Sequence, residues 1–161
     1  METVAVFGPF NGAMQTALKN ALPQLCFRLV FSPEIDRELL RQADYVILRT
    51  LRLDAPEIAL LDKCRLIQRW GAGFDTVDIA AAGRCGIPVA VTAGMNAVPV
   101  SEMALALMLA VYRNLVPMTR DTMEGVWSRE TYAKRSYTIS GKTVGIYGIG
   151  NIGRKVAALT K

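Results

Sequence analysis

Short apolar runs and helical patterns alternate along the first 97 residues. Five runs have the length and the β-branched composition of buried strands, at residues 4–7, 25–31, 45–48, 66–68 and 88–91. Helical patterns lie between them at residues 13–21, 34–42, 56–62 and 77–84. Regular alternation of strand and helix predicts an α/β fold, in which helices cover the faces of a parallel sheet.

Two of these helices have sequence signals for their first residue. Ser32 followed by Pro33 predicts an N-cap with proline at the first helical position. Asp75 or Asp78 can accept hydrogen bonds from the free amides of the fourth helix.

From Pro99 onward the pattern changes to one long helix, which is apolar nearly all round between residues 103 and 112. A helix of this kind is covered by another domain or another subunit. Gly94 and Asn96 precede it in a hinge-like segment. Pro117 is predicted to end or kink the helix.

A glycine-rich segment follows a further predicted strand at residues 142–147. Gly148, Gly150 and Gly153 form a Gly-x-Gly-x-x-Gly pattern that continues into a helical run, which is the context that the dinucleotide fingerprint requires. Gly148 permits the tight turn, Gly150 lets the main chain approach a pyrophosphate, and Gly153 lets the helix lie close to the strand. The pattern predicts an NAD or NADP site, and a glycine-rich turn without a ligand is the alternative.

The free amides near Asn151 and Ile152 would hold the phosphate charge of this cofactor. They lie at the first turn of the predicted helix, where the helix dipole is positive. The acidic residue that would bond the adenosine ribose is expected about 20 residues further along, past Lys161. The choice between NAD and NADP therefore stays open.

The composition limits the kinds of catalytic, metal and ligand sites that the chain can contain. The 161 residues contain no histidine, so they supply neither a histidine acid–base nor a histidine metal ligand. The three cysteines are odd in number and form no Cys-x-x-Cys pair, which predicts reduced, buried thiols and no metal site.

The net charge of +5 comes from scattered cations, so it favours small anionic ligands and not nucleic acid. The apolar run of the long helix is too short to span a bilayer, so we expect a cytoplasmic protein without a membrane partner.

Three ordered stretches carry a resemblance to a known family. Residues 66–78 (LIQRWGAGFDTVD), 86–102 and 141–153 together resemble the NAD-binding D-isomer-specific 2-hydroxyacid dehydrogenases, which include phosphoglycerate, glyoxylate and formate dehydrogenases. The resemblance implies a flavodoxin-like substrate domain at residues 1–97. It also implies that residues 98–161 are the long helix and the first strand, turn and helix of an incomplete Rossmann domain.

The same resemblance implies hydride transfer between a nicotinamide and a small 2-hydroxy or 2-keto acid. The family's catalytic arginine, carboxylate and histidine follow the phosphate turn by many residues. We therefore expect no catalytic residue in this chain, which would be a truncated form without turnover of its own. A non-catalytic flavodoxin-like binding module, or a split protein completed by a partner chain, is the alternative.

Further site residues follow from the resemblance. The loop Gly71, Ala72 and Gly73 would present backbone amides to the substrate carboxylate, although these residues also suit a plain turn into the next helix. Asn96 and Val100 match positions near the nicotinamide end of the cofactor, where a hinge turn and a packed helix start are the alternatives.

Arg49 closes the third strand, where its cation can meet an anionic substrate or remain solvated. Trp70 can line the pocket or simply pack, and packing is the favoured interpretation. Trp127 is predicted to be a structural residue. The apolar long helix and the strand at residues 142–147 would expose an apolar face and an unpaired strand edge, which associate with other chains. This predicts a homo-oligomer or a segment-swapped dimer.

Overall fold

The computed structural model describes residues 1–21 and 27–161. Two compact units divide these residues, Met1–Ala93 and Gly94–Lys161. Cys26 and the first two residues of the second predicted strand lie outside the described residues.

The first unit is built on a five-stranded parallel sheet. Its strands are β1 (Glu2–Phe7), β2 (Phe27–Ser32), β3 (Tyr45–Leu48), β4 (Ile67–Arg69) and β5 (Val89–Val91). They lie in the order β2-β1-β3-β4-β5, and each paired strand is parallel to its neighbour. This is the strand order of flavodoxin-like sheets, so the predicted α/β fold is confirmed.

Helices cover both faces of this sheet, because successive strand residues point to opposite sides. The helices are α1 (Gly12–Ala21), α2 (Arg37–Arg41), α3 (Ala55–Ile58) and α4 (Ile79–Arg84). The larger core contains buried residues of α2, α3 and α4 with alternate residues of the central strands: Leu39, Leu40, Ile58, Ala81, Ala82, Ala5, Phe7, Val46, Leu48 and Ile67. A smaller cluster packs Leu18 of α1 against the other side of β1, with Val4, Val6 and Phe10.

Asp36, and not Ser32, caps α2. The Asp36 side chain accepts from the amides of Glu38 at 2.9 Å and Leu39 at 3.1 Å. Ser32 is still paired with β1, and its hydroxyl donates to the Glu34 carbonyl at 2.7 Å in a local turn. The predicted start at Ser32 and Pro33 is therefore wrong, because sheet pairing holds Ser32 in the strand.

The start of α4 agrees with the sequence. The Asp78 side chain accepts from the Ala81 amide at 2.8 Å. Cys85 follows the last turn of this helix and is exposed, so the prediction of a buried thiol is wrong there. Cys64 is buried, and burial raises the pKa of its thiol.

The second unit is mainly helical within the described residues. Its helices are α5 (Ala97–Tyr112), α6 (Leu115–Met123), α7 (Arg129–Ala133) and α8 (Asn151–Leu159). Asn114 adopts a left-handed conformation, with φ of 51°, and α6 bends away from α5 by 67°. Pro117 lies in the first turn of α6, where a missing amide costs no helical hydrogen bond. Pro117 thus neither ends nor kinks α5, contrary to the prediction.

Residues 142–147 do not form the predicted strand. No ladder hydrogen bond pairs them with another segment in the described parts of the chain. A parallel strand exists only when a neighbouring strand bonds to it, and no strand is assigned in the described second unit. Trp127 is 84% exposed, so the prediction that it is a structural residue is also wrong for this structure.

Helix α5 presents an apolar stripe to solvent. Met103, Leu107 and Val111 are spaced four residues apart, so they lie on one face of the helix, and all three are exposed. We call these three residues the α5 stripe. Over residues 1–21 and 27–161 no single helix has the length and apolar composition of a membrane span; the bent pair of α5 and α6 meets that test by length and composition alone.

Candidate functional site

The carboxyl edge of the sheet gathers the predicted substrate residues of the first unit. In a parallel sheet all strands end at the same edge, and open sheets of this type bind ligands there, beside the point where the strand order reverses. Arg49 follows β3 and Trp70 follows β4, and the last residues of these neighbouring strands, Leu48 and Arg69, are paired in register.

Arg49 points toward the loop after β1. Its guanidinium donates to the Pro9 carbonyl and lies 3.5 Å from the Met14 sulfur. It also lies 5.8 Å from the centroid of the Phe10 ring. Arg49 forms no ion pair with any described residue, so its charge is not neutralised by a described carboxylate.

Phe10, in the loop after β1, contacts residues in the loops after β3 and β4 at this edge. Its ring meets Trp70 edge to face, with centroids 5.3 Å apart, and the same ring contacts Arg49. Arg49 and Trp70 therefore contact the same aromatic side chain, and Trp70 remains 40% exposed, so both interpretations of this residue stay open. Phe10 is not among the site residues predicted from the sequence, although its position just after a predicted strand places it at this edge.

The loop after β4 offers two free main-chain donors. The Gly71 amide donates to the Arg69 carbonyl at 2.9 Å, and the Gly71 carbonyl accepts from the Thr92 amide at 2.9 Å. The amides of Ala72 and Gly73 have no acceptor among the described residues, and both residues are exposed. Adjacent free amides can together bind an anion such as a carboxylate, and a side-chain oxygen of Asp75 already lies beside Gly73, 2.7 Å from the position of a Cβ there.

The three glycines of the turn in the second unit have the local geometry that their tasks require, whereas the strand that the fingerprint places before them is not formed. Gly148 has a φ of +95°, which favours glycine. A Cβ on Gly153 would lie 2.1 Å from the Gly148 carbonyl oxygen and 3.4 Å from Ile146 Cγ2, so only glycine lets α8 begin this close to the turn. A Cβ on Gly150 would meet no atom of the described residues within 4 Å, so the space beside it is open to a ligand.

Free donors lie next to that open space. The first amide of α8 with a helical acceptor is that of Arg154, which donates to the Gly150 carbonyl at 3.1 Å. The amides of Asn151, Ile152 and Gly153 have no acceptor in the described residues. These donors and the positive end of the helix dipole fit a pyrophosphate.

The turn ahead of α5 lies against the glycine turn. A Cβ on Gly94 would be 3.0 Å from the Asn151 side-chain nitrogen, so the two segments are in close contact within the second unit. Asn96 is the exposed residue just before α5, and Val100 lies in the first turn of that helix, 38% exposed. The structure thus brings the segment of Asn96 to the glycine turn.

Comparisons with known proteins give the family. The model of the D-isomer specific 2-hydroxyacid dehydrogenase, catalytic domain, matches residues 4–157. D-3-phosphoglycerate dehydrogenase of Archaeoglobus fulgidus is 34% identical over 128 residues, which cover 80% of this chain and 24% of that protein.

Solved structures agree with this fold. NAD-dependent formate dehydrogenase of Staphylococcus aureus, in complex with NAD, is 26% identical with a TM-score of 0.79, and the match covers 98% of this chain and 51% of that chain. An NADPH-dependent glyoxylate/hydroxypyruvate reductase of Sinorhizobium meliloti, in complex with NADP and malonate, is 24% identical with a TM-score of 0.77, covering 98% of this chain and 49% of that one. The chain therefore spans between a quarter and half of the length of these relatives. Since the family model matches nearly every residue, the chain belongs to the D-isomer-specific 2-hydroxyacid dehydrogenases, a family of NAD- or NADP-binding oxidoreductases.

Proposed function

We propose that this chain is part of an NAD(P)-dependent oxidoreductase acting on a small 2-hydroxy or 2-keto acid. The observation that carries the proposal is the glycine turn at residues 148–153, with open space beside Gly150 and three amides after it that have no acceptor among the described residues. In this reaction a hydride passes from C4 of the dihydronicotinamide to C2 of the keto acid, and a proton goes to the carbonyl oxygen, giving the 2-hydroxy acid and the oxidised cofactor.

The second unit would bind the cofactor. The amides of Asn151, Ile152 and Gly153 would hold the pyrophosphate, and Gly150 lets the main chain approach it. Asn96 and Val100 would lie toward the nicotinamide end, as the family resemblance implies. In this proposal residues 98–161 are the start of a Rossmann domain.

The first unit would bind the substrate, with residues 1–97 as its domain. The amides of Ala72 and Gly73 would hold the carboxylate, while Gly71 leaves room for the Arg69 guanidinium beside the loop. Arg49 adds a positive charge at the same edge of the sheet, which favours an anionic substrate.

We propose that the 161-residue chain has no turnover on its own. The reaction needs a group that gives a proton to the substrate oxygen or takes one from it, and the sequence contains no histidine for this task. As the family resemblance implies, a histidine outside these residues would supply it.

A turnover assay tests this proposal. The purified chain is mixed with NADH or NADPH and with pyruvate, glyoxylate or hydroxypyruvate, and the nicotinamide absorbance is followed. The rate should equal that of a sample without protein, whereas the full-length Archaeoglobus fulgidus enzyme, given its own substrate, shows that the assay works. Reduction of any keto acid by the chain at about 1 s⁻¹ or faster would contradict the proposal.

We also propose that the chain forms a homo-oligomer, either through the α5 stripe or as a segment-swapped dimer. The three exposed apolar side chains of the stripe support it, because exposed apolar patches mark association surfaces. A cytoplasmic location belongs to the same proposal. Cys64 and Cys85 are free thiols, which suits a reducing compartment.

A further inference from the structure

The side chain of Arg69 forms hydrogen bonds to both ends of the loop after β4. Arg69 Nε donates to the Thr76 hydroxyl at 3.1 Å, and Arg69 Nη1 donates to the Trp70 carbonyl. A Cβ on Gly71 would lie 2.6 Å from Nη1, so the guanidinium lies directly against the Gly71 main chain. One guanidinium thus connects the two ends of the loop.

Main-chain bonds fix the same two ends and leave the middle free. The Thr76 carbonyl accepts from the Leu53 amide at 2.8 Å, and the Gly71 carbonyl accepts from the Thr92 amide at 2.9 Å. Ala72 and Gly73 lie between these anchors and donate to no described residue. Because a glycine-containing loop has high conformational entropy, the position of these two amides depends on how firmly its ends are held.

Arg69 is suited to this task by its geometry. Its planar fork donates in two directions at once, which a lysine ammonium does not do with the same rigidity. It is half-buried and forms no ion pair with a described residue. The two acceptors that the Arg69 guanidinium has among the described residues both lie at the ends of the loop.

We propose that Arg69 and Thr76 are positioning residues, whose side-chain bridge holds the amides of Ala72 and Gly73 in place for a substrate carboxylate. The inference rests on the proposed carboxylate-binding role of this loop. Neither residue needs to touch the substrate, because the bridge acts through the main chain of the loop.

Substitution at Thr76 in the full 161-residue chain, labelled with ¹⁵N, tests the bridge. Thr76→Val removes the acceptor at nearly constant size, and the matched control Thr76→Ser keeps the hydroxyl. Hydrogen exchange is measured at the Leu53 and Thr92 amides, which report opening of the two loop ends. We expect exchange about fivefold faster in Thr76→Val, the effect of one net hydrogen bond, and a change of less than about twofold in Thr76→Ser.

Oxalate is then titrated while the Ala72 and Gly73 amide shifts are followed. Its affinity should fall about fivefold in Thr76→Val and stay within about twofold in Thr76→Ser, in line with the loss of one hydrogen bond. Arg69→Lys keeps the charge but loses the fork, and it should match Thr76→Val.

Three results would overturn the inference: unchanged exchange in Thr76→Val, an equal loss in Thr76→Ser, or faster exchange with unchanged oxalate affinity. If oxalate shifts neither loop amide in the wild-type chain, the carboxylate-binding proposal fails instead. The exchange rates at Leu53 and Thr92 still decide whether the bridge holds the loop.

Discussion

Leu107→Glu is expected to convert the protein from a dimer to a monomer. Leu107 is the central residue of the α5 stripe and is 59% exposed, between Met103 and Val111 at 58% and 74%. A glutamate there would place an unpaired charge inside an apolar contact between two chains, which costs several kcal/mol. Light scattering at micromolar concentration should give the mass of two chains for the wild type and of one chain for the variant.

A matched substitution separates this effect from a general effect of charge. Ile79→Glu makes the same change at a 42% exposed aliphatic side chain in the first unit, and it should leave the dimer intact. A wild-type chain that is already a monodisperse monomer would contradict the proposed oligomer. A Leu107→Glu variant that stays dimeric would rule out the α5 stripe as the interface.

Gly153→Ala should cause a large loss of stability in the second unit. The added methyl would lie 2.1 Å from the Gly148 carbonyl oxygen, which is main chain and has little freedom to move away. Opening the turn to admit it should cost about 3 kcal/mol, at the upper end for overpacking. Hydrogen exchange at the amides of α8 measures the loss locally, because it reports opening of this helix alone.

Gly150→Ala is the control for this prediction. It adds the same methyl three residues away, where no atom lies within 4 Å, and the stability of α8 should change by less than about 1 kcal/mol. Equal effects of the two substitutions would show that the turn does not have the close contact between Gly153 and Gly148.

Much of the first unit follows from its sequence because its signals are local and agree with one another. The β-branched runs become strands in a sheet whose order is that of flavodoxin-like folds. Where two local signals compete, the sequence alone does not decide: Ser32 has the residue type of a cap, but pairing with β1 holds it in the sheet and Asp36 caps the helix.

The second unit shows the limit of local patterns. Residues 142–147 have a strand-like composition, but a strand also needs a neighbour to bond with, and composition does not supply one. The end of α5 depends on the left-handed backbone of Asn114, and the side-chain amide of Asn114 donates to the Arg135 carbonyl at 2.8 Å. That contact spans 21 residues, so no window of sequence around Pro117 contains it.

The candidate sites also contain some features that depend on neighbouring residues and others that depend on contacts between distant segments. The tasks proposed for Gly148, Gly150 and Gly153 depend on residues within one turn, so their spacing is enough to predict them. The bridge between Arg69 and Thr76 and the contact of Phe10 with Trp70 depend on how separate strands and loops meet. These contacts exist only once the sheet has formed.

Cofactor binding at the glycine turn is tested most directly by titrating NAD into the ¹⁵N-labelled chain and into its Gly150→Ala variant. The amides of Asn151, Ile152 and Gly153, which have no described acceptor, should show the largest shifts. In Gly150→Ala these shifts should disappear while the rest of the spectrum stays that of the wild type, because the methyl occupies the space open to the pyrophosphate. Unchanged amides at millimolar NAD, or equal shifts in the two proteins, would contradict a cofactor site at this turn.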